Sequence, residues 1–186
     1  MTMTANVESA RRGGIPWRLL GWGIAAALIL LPLVAMQFTS EVHWTAEDFI
    51  FAIVMIGTVG LVFELAVRMT SNWAWRAGAA CALAAAFLLV WINGAVGMIG
   101  SEGNANNLLF GIVLLVALLG AIVARFKAPA MSLAMAAAGL TYVLLVPIVV
   151  MRTSVPVEMR EIVLTLVFAG PWFVSAALFR KAARTD

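Results

Sequence analysis

The chain has 186 residues and a formal net charge of +3, and 64% of it is apolar against 11% charged, for a mean hydropathy of +1.05. Soluble domains are about half apolar and about a quarter charged, so the composition excludes a soluble globular fold, a disordered chain and a disulfide scaffold. It fits an integral membrane protein with little mass outside the bilayer; the lone Cys81 and lone His43 further exclude an internal disulfide, a cysteine metal cluster and a bis-histidine haem within one chain.

A membrane-spanning helix needs about 20 apolar residues, since about 1.5 Å per residue must cross roughly 30 Å of hydrocarbon. Six runs qualify: 19–38, 49–67, 77–99, 108–124, 130–150 and 162–179. None alternates apolar and polar residues as barrel strands do. The sequence therefore predicts an all-α polytopic membrane protein, a bundle of six transmembrane helices between a cytoplasmic N-terminal tail, 1–18, and a cytoplasmic C-terminal tail, 180–186. The first run follows a basic stretch but is longer than a signal-peptide core of about 7–15 residues, so it reads as a retained span.

The first outer loop carries Glu41, His43 and Asp48, candidate ligands for a divalent cation with Glu102 and Glu161 from other loops. The competing reading is a helix start, with Thr45 as N-cap and Asp48 in the place of the usual Glu of a capping box. The second span holds Glu64, the only charged residue within a span. An intramembrane carboxylate suggests a proton or cation ligand at the mouth of a pathway. Arg68 four residues on also suits an interfacial ion pair.

The third span closes on Trp91-Ile92-Asn93-Gly94-Ala95-Val96-Gly97-Met98-Ile99-Gly100-Ser101-Glu102-Gly103-Asn104. Glycine every third residue makes a small-residue stripe if the stretch is helical, which lets a neighbouring helix approach closely. Asn93 is an amide within the membrane and needs a partner. Asn93, Gly94, Gly97, Trp91, Glu64 and Glu102 are thus the candidates for a pocket or pathway, against plain helix packing as the alternative. This stretch, with Trp17-Arg18 and Pro32, resembles a group of small uncharacterised bacterial inner-membrane proteins that share W-x-N-G-A-V-G-x-I-G-S-E-x-N and a similar outline over the first four spans. The resemblance implies six spans, draws attention to Asn93 and Glu102, and implies no substrate.

The fourth run is short, at 17 residues, a mismatch that flanking residues and modest bilayer thinning can cover. Pro32, Pro147 and Pro171 lie within spans and predict kinks. Trp17, Trp22, Trp44, Trp73 and Trp75 fall near span ends, as in an aromatic belt, while Trp91 and Trp172 lie deeper. Arg152, Glu158, Arg160 and Glu161 flank the last outer loop and suit solvated ion pairs; an Arg there also suits an anionic head group or a partner.

Ten of the twelve Lys and Arg residues fall on one side of this topology, and only Arg152 and Arg160 on the other. The positive-inside rule then places both termini in the cytoplasm. The chain also overlays on itself at an offset of about 58 residues, Trp17-Arg18 on Trp75-Arg76 and Asp48 near Asn107. That overlay predicts three pseudo-repeated helical hairpins; the alternative is that orientation alone imposes the rhythm.

No nucleophile elbow, phosphate-binding loop, dinucleotide fingerprint or zinc signature is present, so no catalytic residue, cofactor or metal is assigned. The expected function is a non-catalytic integral membrane module, an accessory subunit of a membrane complex or a lipid-binding component. The alternative is a small transporter or channel for a neutral or lipophilic solute or a cation, using Asn93 and Glu64. Expected partners are the lipid bilayer, with a membrane protein or further copies of the chain, and no nucleic acid. The expected location is the bacterial inner membrane.

Overall fold

A computed structural model describes residues 17–101, 103–153 and 156–185. The N-terminal tail with Arg11 and Arg12, the side chain of Trp17, and Glu102 lie outside the described residues. The described chain is helical with no strand among its residues: α1 (Trp17–Ala35), α2 (Ala46–Met69), α3 (Trp73–Ala95), a 3-10 helix (Ala105–Phe110) leading into α4 (Gly111–Val123), α5 (Ala128–Arg152), α6 (Met159–Val167) and α7 (Gly170–Ala182). Six segments are long and apolar enough to cross a membrane, the fourth formed by Ala105–Val123 and the sixth by Met159–Ala182. The chain is a multi-pass membrane protein of the all-α class.

Two compact units divide it, the first up to Leu61 and the second from Val62. In the first, α1 runs on through Pro32. The first turn of α2 is held by the capping box expected at Thr45: the Thr45 N–H and hydroxyl both donate to Asp48 Oδ2, at 2.7 and 2.9 Å. Trp44, just before the cap, meets Phe49 edge-on at 5.2 Å, the apolar staple that fixes how a chain enters a helix. Gly60 lets the Trp22 ring lie against the α2 backbone, 3.0 Å from where a Cβ would stand.

The second unit holds a core built on α5. Its buried positions, among them Met131, Ala134, Met135, Ala138, Tyr142, Leu145, Val146 and Val149, recur at three- and four-residue steps and so form one stripe. Small residues bring its partners close. A Cβ on Gly120 of α4 would meet that of Ala134 at 2.7 Å, and one on Gly139 would meet the Phe173 ring at 3.0 Å. This is small-residue packing of the kind membrane helices use where apolar burial no longer drives association.

Hydroxyls add polar links, Ser132 to the Ala176 carbonyl and Ser175 to the Gly78 carbonyl, both at 2.8 Å. At the basic end Asn72 caps α3 through the N–H groups of Ala74 and Trp75. Arg76 donates to the carbonyls of Thr70 and Val67 at the end of α2. The Trp75 indole donates to the Phe126 carbonyl in the turn between α4 and α5, where Arg125 and Phe126 take positive φ. Two of the tryptophans expected in a belt, Trp22 and Trp75, thus also lock helices.

Two span ends differ from expectation. The third helix stops at Ala95 rather than running to Ile99. Gly97 and Gly100 take φ of +78° and +79°, a left-handed backbone that ends a helix. The sixth span is two helices rather than one kinked helix. Pro171 lacks the N–H that would bond the Val167 carbonyl, and its ring crowds that carbonyl, so α6 ends there and α7 restarts with Pro171 in its first turn.

Candidate functional site

The candidate stretch at the end of α3 folds into a knot of amides. Because α3 ends at Ala95, Gly94, Gly97, Gly100 and Gly103 do not form the helical stripe that their spacing suggested. Residues beyond α3 turn back, and Met98 and Ile99 are buried. Asn107, only 2% exposed, is the hub. Its Oδ1 accepts from the Ile99 N–H at 3.1 Å, and its Nδ2 donates to the carbonyls of Ile99 at 3.1 Å and Ser101 at 3.0 Å. The Asn93 side chain donates to the Asn107 backbone carbonyl at 3.0 Å. Gly97 makes room for the hub, since a Cβ there would stand 2.4 Å from the Ser101 carbonyl oxygen and 2.9 Å from Asn107 Nδ2.

Links from this knot reach α5 and α6. Asn104 donates to the Ile99 carbonyl and to the Thr153 hydroxyl, at 3.0 and 2.9 Å. Asn106 donates to the Arg152 carbonyl at 3.2 Å. Thr165 of α6, buried, donates to the Met98 carbonyl at 2.9 Å, and Glu161 accepts from the Gly100 N–H at 3.3 Å. Backbone groups of Met98, Ile99, Gly100 and Ser101 are thereby bonded within the protein, as irregular backbone next to hydrocarbon requires. Of the sequence candidates, Asn93 and Gly97 meet here. Gly94 is exposed on the last turn of α3 with nothing within 4 Å of a Cβ, and Trp91 stacks on Phe87 at 5.6 Å. Asn104, Asn106, Asn107 and Thr165 were not singled out as site residues. The signal that points to them is the asparagine-rich run 104–107 directly before an apolar span.

Glu64 accepts from Arg68 at 2.6 Å, one helical turn on, with its side chain 19% exposed and that of Arg68 60% exposed. In the first outer loop His43 and Glu41 are exposed, and Asp48 serves the cap of α2. Among the described residues no three His, Cys, Asp or Glu side chains converge as metal ligands.

Two further features lie in the second unit. Tyr142 and Trp172 are 0% and 1% exposed, and the Tyr142 hydroxyl and Trp172 indole nitrogen have no hydrogen-bond partner. Tyr142 instead lies against the Phe110 ring at 5.1 Å. An apolar groove of about 430 Å³ runs between α5 and α6, lined by Val143, Val146, Pro147, Val150, Met151, Ile162 and Leu166.

No family model, no curated protein and no solved structure matches the chain.

Proposed function

We propose that the chain is a non-catalytic integral membrane module of the bacterial inner membrane, an accessory subunit of a membrane complex or a lipid-binding component, with both termini cytoplasmic. The observation that carries this reading is the destination of the polar side chains in the spans. Asn93, Ser132, Thr141, Thr165 and Ser175 each donate to a backbone carbonyl of this chain. Glu64 is bonded to Arg68. A conducting path needs polar groups that face water or substrate, whereas these groups join the protein to itself. The bacterial location rests on the resemblance carried by residues 91–104, and the orientation on the basic loops.

The test is native mass spectrometry of the protein extracted gently from its own membranes. A stoichiometric protein partner or retained lipid is expected. A bare monomer would contradict the module. A second reading, a small transporter or channel, is favoured by one observation: the sixth span is broken at Phe168–Ala169, next to Trp172 with its unpartnered indole. Discontinuous helices often mark binding sites in transporters.

A further inference from the structure

We infer that the groove between α5 and α6 holds one acyl chain of an anionic phospholipid, whose phosphate head group lies at Arg152 and Arg160. The groove is apolar throughout its lining, so it offers no hydrogen bond to a polar solute but suits hydrocarbon. Pro147, inside α5, forms part of the wall.

Charge selects the occupant. Arg152 directly follows the lining residue Met151, and Arg160 lies two residues before the lining residue Ile162. These are the two cations that stand on the otherwise acidic side of the topology, and both flank this groove. Arg152 is exposed at the end of α5, and its backbone is held by Asn106. Arg160 is exposed and reaches Glu158 only at 3.7 Å, a solvated pair that contributes little and leaves guanidinium donors to spare. Glu161, the other carboxylate of this rim, accepts from the Gly100 N–H. A guanidinium matches a phosphate with paired donors, and cations at a membrane surface attract anionic lipid. The inference rests on the module reading in its lipid-binding form. Lipid selectivity tests the site and solute flux through liposomes tests the module, so each fails on its own result.

The experiment titrates delipidated full-length protein with equal amounts of phosphatidylglycerol and phosphatidylcholine, reading bound lipid by native mass spectrometry. The wild type is expected to retain one phosphatidylglycerol with roughly tenfold preference. Arg152→Gln with Arg160→Gln should remove the preference. Leu166→Trp, which fills the groove from an exposed position, should lose the retained lipid, while Arg125→Gln with Lys127→Gln at the opposite end should change neither. Far-ultraviolet circular dichroism confirms that each variant keeps its helices. No preference in the wild type, or a preference that survives the Arg152/Arg160 pair, overturns the inference. So does retention in Leu166→Trp, which would mean the head group adsorbs without the groove. A second copy or another protein bound in place of lipid, and released by Leu166→Trp, overturns it as well.

Discussion

At the scale of single residues, the amide hub separates two asparagines that look alike in the sequence. Asn107 satisfies three backbone groups from a buried position. Asn107→Ala strands them and should cost about 2–3 kcal/mol. Asn93→Ala removes one bond to a carbonyl and should cost about 0.6 kcal/mol, the average for polar links between membrane helices. Thermal melts in one detergent rank the two, and an Asn93 variant that melts lower than the Asn107 variant would contradict the structure. The glycines separate in the same way. Gly97→Ala meets a positive φ and a carbonyl oxygen at 2.4 Å, whereas Gly94→Ala meets open space on a helix. The first should melt well below wild type, and the second should be neutral or up to about 1 kcal/mol more stable. Asn93 was legible because an amide among apolar residues stands out. Asn107 was not, because its role depends on a backbone that turns back to meet it, and hydropathy does not register such a turn.

At the scale of helices, apolar runs located all six spans, because hydrocarbon thickness imposes length whatever the packing. Their ends were less legible. Ile99 is as apolar as any span residue, yet it lies past the left-handed Gly97 and is buried in the loop rather than in α3. The 3-10 turn at Ala105–Phe110 lengthens a fourth span that is short by hydropathy alone. Pro32 and Pro147 are carried inside helices while Pro171 parts one in two; Gly170 beside it lowers the cost of breaking there. Pro171→Ala restores the donor for the Val167 carbonyl, so amide exchange across residues 168–172 should slow by mass spectrometry. Unchanged exchange there would mean that tertiary packing, rather than the proline, parts α6 from α7. The overlay of hairpins brings Asp48 near Asn107, but the first caps α2 and the second anchors a loop. The shared spacing does not carry a shared local structure at that pair.

At the scale of the whole molecule, the basic loops predict the orientation. In a Cys81→Ala background, His43→Cys should react with an impermeant maleimide in intact cells, and Thr185→Cys only after permeabilisation. The reverse pattern would invert the topology and move the Arg152 and Arg160 rim to the cytoplasmic side. Function was the least legible level, since no motif in the chain specifies a reaction; of the two residues that a pathway would use, Asn93 bonds a backbone carbonyl and Glu64 bonds Arg68.

The most direct test of that account is flux through liposomes reconstituted with the purified protein, using potassium, protons and glycerol as probes. The module reading predicts flux no greater than that of empty liposomes for all three. Saturable flux that falls tenfold or more in Asn93→Ala or Glu64→Gln, with each variant folded, would contradict it and make the chain a transporter or channel.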